Sequence, residues 1–380
     1  MKIAKFQLEN FRNHSHTVIA CTDCANVFLG NNGAGKTNIV EGLAYLCVTK
    51  SFYAVNDLTA LKVGESSFRI SGELISDSGN EFSVQISYDG EAGEKRYLLN
   101  GKTTQKLSSI IGKFPIVILS PEYSGITFGS PTDRRKFLDF IISQASARYL
   151  EDVLEYRRIL RQRNRILLDG KSSNGSVTHL LEPWSEGLIE YGSRVVQRRA
   201  EFVRDFEPYL SRAYEAIAGE FEKPNSKYLS AVASERLSDA DGLRMEYRRL
   251  LEESKHEERR VGATLVGPHR DDLLFTLDRM ELRRFGSQGQ HRTFLIAMKI
   301  AEFEFLRALC GETPILILDD VFSELDGQRS GKLIETVSSM GQYFITTTDD
   351  RVFPQEFFTE AGNKHVVVKS GSIIREQAAA

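Results

Sequence analysis

The first third of the chain shows the alternation of polar and apolar residues that is typical of strands. Residues 2–9 alternate with period two and show no helical stripe. Segments 67–75, 81–88 and 95–99 are short, rich in β-branched and aromatic residues, and separated by turn-forming residues. Residues 116–119 are an apolar run of the kind that forms a buried strand. We therefore expect antiparallel hairpins and one buried strand in this part.

In the middle of the chain the pattern changes to that of helices. Leu, Ile and Val recur every three or four residues in 132–169 and 180–220. A polar loop over 169–177 is predicted to join these two helices. A third helix is predicted over 238–258, so this block is expected to form a helical insertion.

The strand pattern returns after Gly262. The predicted elements are strands at 262–266 and 273–284, a helix from 288 to about 309, and buried parallel strands at 315–318 and 343–346. Because sheet-forming residues lie at both ends of the sequence, we expect residues 1–125 and 262–380 to assemble one α/β domain. Residues 126–261 are expected to form a helical lobe without a long coiled coil.

Composition narrows the class of protein. The chain has 380 residues, of which 41% are hydrophobic and 27% charged, and these values exclude wholesale disorder. The net charge of −3 argues against a uniformly basic coat for nucleic acid, although a local basic face remains compatible with it. No apolar run reaches the roughly 18–20 residues that cross a bilayer. No apolar segment of a signal peptide follows the first lysines. We expect a cytoplasmic protein without a membrane segment.

The four cysteines are too sparse for a disulfide framework. Cys21 and Cys24 form a C-x-x-C, but no second pair or nearby histidines complete a zinc site. Incidental thiols are the preferred interpretation, and a metal at this pair is the alternative.

A phosphate-binding loop is predicted at residues 30–37, which match G-x-x-x-x-G-K-[ST] between an apolar strand and a helix. In this arrangement backbone N–H groups and the helix amino terminus point at phosphate oxygens. Lys36 is expected to reach the β and γ phosphates of ATP, and the Thr37 hydroxyl to ligate Mg²⁺. The predicted nucleotide-binding residues here are Gly30, Asn31, Asn32, Gly33, Ala34, Gly35, Lys36, Thr37 and Asn38.

Two carboxylates follow the apolar strand at 315–318, where open α/β sheets place ligands. Asp319 is predicted to hold Mg²⁺, directly or through water. Asp320 is a candidate catalytic residue that orients or deprotonates an attacking water. The alternative is that Asp320 caps the following turn. The pair favours ATP hydrolysis over simple nucleotide binding.

The long helix after residue 287 opens with Ser287, Gln288 and Gly289. Ser287 suits a helix N-cap, and its hydroxyl and the following amides can form an anion site. Together with the segment that ends at Asp326, this stretch resembles the signature motif and D-loop of ABC-type ATPases. That resemblance implies that Ser287, Gln288, Gly289 and Asp326 contact ATP across a head-to-tail dimer, with Ser287 and Lys36 in catalytic roles.

Within that superfamily the chain resembles the RecF family of bacterial recombination mediators over almost its whole length. The matching stretches are LENFRN (8–13), the phosphate-binding loop, GSPTDRRKFLD (129–139), GPHRDDL (267–273), GSQGQHRT (286–293), LDDVFSELD (318–326) and FITTT (344–348). The resemblance implies an ABC-type ATPase head with a P-loop sheet and an antiparallel β subdomain.

The same resemblance implies an ATP-dependent homodimer that binds DNA, hydrolyses ATP slowly and works with RecR and RecO. Its implied role is loading of recombinase at gaps where single- and double-stranded DNA meet. Thr347 or Thr348 stands where many ABC ATPases have a switch histidine, in keeping with slow turnover. Glu122 stands where those enzymes have the Q-loop glutamine, and it is held as a metal or water contact. Arg12 is a possible nucleotide contact from the amino-terminal hairpin, with a surface role as the alternative.

Arginines in the helical block are candidate DNA contacts. Arg157, Arg161 and Arg165 fall on one face of a helix, which suits phosphate contacts without base readout. Arg134 and Arg135 add a second cluster. The alternative is a solvated helix face whose arginines pair with nearby acidic residues.

Two other assignments use the same motifs. A transporter ATPase subunit would have a far shorter stretch between Thr37 and Ser287 and would need a membrane partner. An SMC-type protein would carry long heptad repeats in the insertion, and these are absent from the sequence.

Overall fold

A computed structural model describes residues 1–52, 56–172, 178–219, 222–232, 237, 239–360 and 362–378. The strands are β1 (Lys2–Phe11), β2 (His14–Ala20), β3 (Ala25–Leu29), β4 (Ser67–Ile75), β5 (Glu81–Asp89), β6 (Glu94–Leu99), β7 (Lys102–Thr103), β8 (Ile116–Leu119), β9 (Pro224–Leu229), β10 (Asp272–Leu277), β11 (Met280–Glu281), β12 (Ile315–Asp319), β13 (Tyr343–Thr347), β14 (Lys364–Lys369) and β15 (Ser372–Ala378). The α-helices are α1 (Lys36–Val48), α2 (Gly125–Phe128), α3 (Pro131–Ala145), α4 (Ala147–Ser172), α5 (Thr178–Ala218), α6 (Ala240–Val261), α7 (Leu282–Phe285), α8 (Gln288–Cys310) and α9 (Gly327–Ser338).

The chain forms two compact units. The first contains Met1–Ser124, Arg212–Gly219 and Leu295–Ala380, and the second contains Gly125–Ser211 and Glu220–Phe294. The sequence analysis assigned residues 262–294 to the α/β domain, together with residues 1–125. In the structure they belong to the second unit, where β10 pairs with β9 along its whole length. The roles of ATPase head and DNA-contacting arm stay predictions.

An antiparallel sheet with the order β2-β1-β4-β5-β6-β7 lies in the first unit. Every second residue of β4 is buried, as its alternating sequence requires. Helix α1 packs against β1 and β4 and covers this face. The predicted antiparallel hairpins are confirmed.

A second sheet of the first unit has the order β15-β14-β3-β13-β12-β8. Five strands of this sheet run parallel to one another, in the order β14-β3-β13-β12-β8. The edge strand β15 runs antiparallel to β14. All residues of β8, β12 and β13 are buried, which explains their continuous apolar sequences. The buried strands predicted at 116–119, 315–318 and 343–346 are confirmed, and their carboxyl ends lie at one edge of the sheet.

The second unit contains α3, α4, α6 and a sheet with the order β11-β10-β9. The strand predicted at 262–266 is wrong, because α6 runs to Val261 and Gly262 ends it in the left-handed conformation. The strand predicted over 273–284 ends early, and residues 282–285 form α7. Strand β9 was not predicted, because its polar sequence becomes a strand only by pairing with β10.

The helix predicted over 132–169 is two helices in the structure, α3 and α4, divided at Ser146. The other helix predictions agree with the structure. The long helix predicted from 288 to about 309 is α8, and the third helix of the insertion is α6. Helix α4 continues to Ser172, beyond the predicted start of the polar loop, and residues 173–177 of that loop lie outside the described residues. Among the described residues, no helix is both long enough and apolar enough to span a bilayer.

A buried ion pair is part of the first unit's core. Lys299 and Glu302 of α8 are 1% and 0% exposed, and the Lys299 ammonium donates to Glu302 Oε2 at 2.8 Å. The same ammonium lies 4.0 Å from the centre of the Tyr123 ring. Burial lowers the pKa of Lys299 and raises that of Glu302, while each charge counteracts the shift of the other. Each buried charge is therefore tolerated only while its partner is present.

We predict that Lys299→Met lowers the free energy of unfolding by about 3–5 kcal/mol, because it leaves the Glu302 carboxylate buried without its countercharge. The double variant Lys299→Met with Glu302→Leu is expected to regain most of this loss, since apolar residues of similar volume replace both charges. Urea unfolding midpoints measure both effects. A double variant as unstable as Lys299→Met would contradict this account.

Candidate nucleotide-binding site

The phosphate-binding loop joins β3 to α1. Gly33 and Gly35 adopt φ values of 77° and 108°, a left-handed backbone that favours glycine. Lys36 is 7% exposed, and its Nζ donates to the carbonyl oxygens of Gly30 at 2.7 Å and Asn31 at 3.1 Å. The ammonium thus lies inside the curve of the loop. Here it can exchange these carbonyls for phosphate oxygens.

A buried histidine fixes the far end of this loop. His14 is 0% exposed, and its Nε2 lies 3.0 Å from the carbonyl oxygen of Gly35. A carbonyl only accepts, so Nε2 carries the proton and Nδ1 accepts the Thr17 hydroxyl at 2.9 Å. Burial lowers the pKa of His14, which favours this neutral ring. A Cβ on Gly35 would lie 2.6 Å from Asn13 Oδ1, so the hairpin fits closely around a glycine.

Both ends of the chain contact the preceding residue of the loop. The carbonyl oxygen of Ala34 accepts the Gly371 N–H at 2.8 Å and Asn13 Nδ2 at 3.4 Å. Asn38, predicted as a nucleotide contact, donates from Nδ2 to Asn13 Oδ1 at 2.8 Å. Its described contact is therefore with the hairpin, and a role toward nucleotide stays a prediction.

The structure brings two of the three predicted metal residues, Thr37 and Asp319, together. Asp319, at the end of β12, is 1% exposed. Its Oδ1 accepts the Thr37 hydroxyl at 3.0 Å and the Thr346 hydroxyl at 2.6 Å. Thr346 was not singled out from the sequence, where Thr347 and Thr348 were given the switch position. Nothing in the local pattern distinguishes the three consecutive threonines.

Asp320 lies beside this carboxylate in the left-handed conformation, with φ 52°. Its N–H donates to the Thr346 hydroxyl at 3.0 Å. Burial lowers the pKa of Lys36, whereas the charges of Asp320 and Asp319 counteract that shift. Both carboxylates therefore act on the Lys36 ammonium, although Lys36 is far from them in the sequence.

The donor set fits Mg²⁺. The Thr37 hydroxyl and the Asp319 carboxylate are hard oxygen ligands within 3.0 Å of each other. In the described residues, no group of three or more His, Cys, Asp or Glu side chains could hold a metal alone. Mg²⁺ at nucleotide sites uses one or two protein ligands and completes its shell with phosphates and water. Glu122 is exposed in the 3₁₀ turn Pro121–Ser124, and its role as a metal contact stays a prediction.

The predicted signature residues begin α8, and Ser287 caps that helix. Its hydroxyl accepts the Gln290 N–H at 3.2 Å, and its N–H donates to Gln290 Oε1 at 2.7 Å. Ser287 and Gln288 are exposed, and Gly289 is half-buried. Asp326 is exposed and caps α9 by accepting the Arg329 N–H at 2.8 Å. Contacts of these residues with nucleotide stay predictions.

The other candidate nucleotide residue, Arg12, makes an ion pair within the protein. Its Nε and Nη2 donate to the two carboxylate oxygens of Glu41 at 2.8 Å and 2.6 Å. The guanidinium also donates to the carbonyl oxygen of Thr59 at 2.8 Å. Arg12 thus joins the hairpin to α1, which the sequence did not reveal.

Two of the candidate DNA arginines are used inside the second unit. Arg134 is 3% exposed and makes a bidentate ion pair with Asp272 at 2.6 Å and 2.9 Å. Arg135 is half-buried and donates to the carbonyl oxygen of Asp271 at 2.7 Å and to Thr132 Oγ1 at 3.1 Å. Burial leaves Arg134 no accessible face for a phosphate, so we leave it out of the proposed DNA contacts.

The three candidate arginines of α4 differ from these. Arg157 is half exposed and donates to Asp139 Oδ2 at 2.7 Å. Arg161 and Arg165 are exposed, and no ion pair of either occurs within the described part of the chain. Their helical spacing places them on one face of α4.

The fold is that of ATPases of the ABC/SMC type. The phosphate-binding loop follows a parallel strand, Asp319 ends a strand of the same sheet, and a capped helix carries the Ser-Gln-Gly sequence. The family described as RecF/RecN/SMC N terminal domain matches residues 2–364. The chain belongs to this family and, by its relatives, to the RecF proteins within it.

Those relatives carry the name DNA replication and repair protein RecF. The protein from Chloroherpeton thalassium is 41% identical over 93% of this chain and 97% of its own length. That of Salinibacter ruber is 38% identical over 92% of this chain and 85% of its own length.

Solved structures give the same result. The recombination mediator protein RecF in complex with ATPrS, described as part of the RecFOR pathway, matches with a TM-score of 0.90. It is 29% identical and the match covers 99% of this chain and 98% of that chain. An SMC head bound to the C-terminal winged-helix domain of ScpA matches with a TM-score of 0.57 at 13% identity, which shows the shared fold alone. The predicted fold class is confirmed.

We predict that His14→Leu weakens ATP binding by roughly tenfold. The variant removes the side-chain donor to the Gly35 carbonyl, which keeps the Ile39 N–H of α1 as its described donor, and so loosens the phosphate-binding loop. The matched control is His16→Leu, an exposed histidine of the same hairpin. Titration with a fluorescent ATP analogue measures both affinities. Equal affinities for the two variants would show that His14 does not hold the loop.

Proposed function

We propose that this chain is an ATP-dependent DNA-binding protein that dimerises on ATP and binds DNA at gaps and junctions of single and double strands. With RecO and RecR it promotes recombinase loading in recombinational repair and replication restart. The observation that carries the proposal is the contact of Thr37 with buried Asp319 beside Lys36. The relatives named RecF and the RecF structure in complex with ATP support it.

The site residues take distinct roles in the proposed hydrolysis of ATP to ADP and phosphate. Lys36 binds the β and γ phosphates, and the loop amides surround them. Thr37 and Asp319 would hold Mg²⁺, which would supply charge neutralisation on the phosphate oxygens. Asp320 orients the attacking water or accepts its proton. Threonines at the switch position, where many ABC ATPases have a histidine, fit a weak ATPase. We further propose that DNA stimulates this activity.

Helix α8, which begins with the signature residues, is proposed to make dimerisation dependent on ATP; we call this dependence the gate. An anion at the amino terminus of α8 would meet the Ser287 hydroxyl, which accepts the Gln290 N–H, and the N–H groups of the first helical turn. If these groups bind the γ phosphate held by a second copy, ATP stabilises the dimer over the monomer. Hydrolysis then removes the bridging phosphate and resets the protein.

We predict that wild-type protein at micromolar concentration has the mass of a dimer with ATP and Mg²⁺ and of a monomer without them. Ser287→Arg is expected to stay monomeric, because a bulky cation fills the anion site. Light scattering measures the mass in each condition.

Ser78→Arg, at an exposed turn between β4 and β5, is the matched control and is expected to dimerise like the wild type. A wild-type protein that stays monomeric at saturating ATP would remove the proposed gate. A monomeric control would show that added charge alone prevents association.

Arg161 and Arg165 are the main proposed DNA contacts. Arg157, one helical turn before Arg161 on the same face of α4, is a further candidate. Their exposure leaves the guanidinium groups available to phosphates, and contacts of this kind do not depend on base sequence. This fits recognition of DNA structure rather than sequence. Arg135, whose Nη atoms already bind within the second unit, is a weaker candidate.

We predict that Arg161→Ala with Arg165→Ala weakens DNA binding in the presence of ATP. The slope of log affinity against log salt should fall in magnitude by about two, one for each lost phosphate contact. Arg248→Ala with Arg249→Ala removes the same charge from α6, where both arginines pair with glutamates, and is the control. An equal loss in both double variants would assign the effect to net charge instead.

A further inference from the structure

Thr346 connects the two carboxylates of the site. It is the register partner of Asp319 in the parallel pair of β13 and β12, and it is 0% exposed. Its hydroxyl donates to Asp319 Oδ1 at 2.6 Å and accepts the Asp320 N–H at 3.0 Å. A hydroxyl has one proton and two lone pairs. The Thr346 hydroxyl therefore donates its single proton to the Asp319 side chain and accepts the main-chain N–H of Asp320 with a lone pair.

The bond to Asp319 fixes the orientation of the carboxylate proposed to hold the metal. Thr37 donates to the same Oδ1, but it belongs to the phosphate-binding loop and is itself a proposed metal ligand. When Thr37 turns toward a metal, Thr346 still donates to Asp319. A hydrogen bond to a charged group in a buried site is among the stronger ones in proteins.

The bond to Asp320 acts on the backbone. A non-glycine residue with φ 52° is strained and persists only where its surroundings hold it. The Asp320 N–H is held by the Thr346 hydroxyl and lies 3.3 Å from the Thr346 carbonyl oxygen. The strained turn places a second carboxylate immediately after the first, near Lys36.

We propose that Thr346 is a positioning residue of the ATPase site. Its hydroxyl orients Asp319 for the metal and holds the backbone that presents Asp320 to the water. The inference rests on the proposed ATPase function and deepens it. A threonine that merely filled space in the buried strand would be replaceable by valine, which has the same shape without the hydroxyl.

The test compares Thr346→Val, which removes the hydroxyl, with Thr346→Ser, which keeps it. Thr336→Val is the control, because the Thr336 hydroxyl donates to the Lys332 carbonyl oxygen of its own helix, α9. Equilibrium binding of a fluorescent ATP analogue is measured in Mg²⁺ and in EDTA, and ATP turnover is measured separately.

We expect Thr346→Val to bind nucleotide in EDTA as wild type does, which shows that the phosphate-binding loop is intact. The gain in affinity that Mg²⁺ gives the wild type should be lost, and kcat should fall on the order of 10- to 100-fold. Thr346→Ser should recover both values to within about threefold. The control should match the wild type.

A Thr346→Val variant with the wild-type Mg²⁺ gain and kcat would overturn the inference, and so would a serine variant no better than valine. These outcomes differ from failure of the proposed function. In that case wild-type protein itself would bind no nucleotide with or without Mg²⁺.

Discussion

The candidate site depends on the lateral register of three neighbouring parallel strands. Leu29 of β3 lies opposite Thr347 of β13, and Thr346 lies opposite Asp319 of β12. This register brings the phosphate-binding loop and the Asp319 carboxylate to the same edge of the sheet. Because side chains alternate between faces, a slip of one residue would turn Asp319 away from Thr346 and Thr37.

Residues from both ends of the chain then hold the phosphate-binding loop. His14, in the amino-terminal hairpin, donates to the Gly35 carbonyl. Gly371, in the turn between β14 and β15, donates to the carbonyl of the preceding residue, Ala34. The Arg12–Glu41 ion pair joins the same hairpin to α1. The loop is thus shaped before nucleotide arrives, and preorganised amides cost little reorganisation on binding.

The sequence predicted the parts of the fold that depend on local pattern. The alternating strands, the buried apolar strands and α8 were found because burial imposes a period that one segment shows by itself. Lys36, Thr37 and Asp319 were singled out because their spacing and context are specific, and the structure places Thr37 in contact with Asp319. Strand β9 and Thr346 were missed because each acquires its role from a partner distant in sequence. The burial of Arg134 likewise depends on Asp272, and no local pattern shows that an arginine faces inward.

The most direct test of the account is the affinity of the wild-type protein for gapped duplex DNA with ATP, with ADP and without nucleotide, measured by fluorescence anisotropy at fixed salt. The account predicts that ATP raises the affinity at least about tenfold over ADP, which corresponds to a coupling of about 1.4 kcal/mol. Lys36→Ala should abolish this difference. A DNA affinity that is the same with ATP, with ADP and without nucleotide would contradict the claim that this site gates DNA binding.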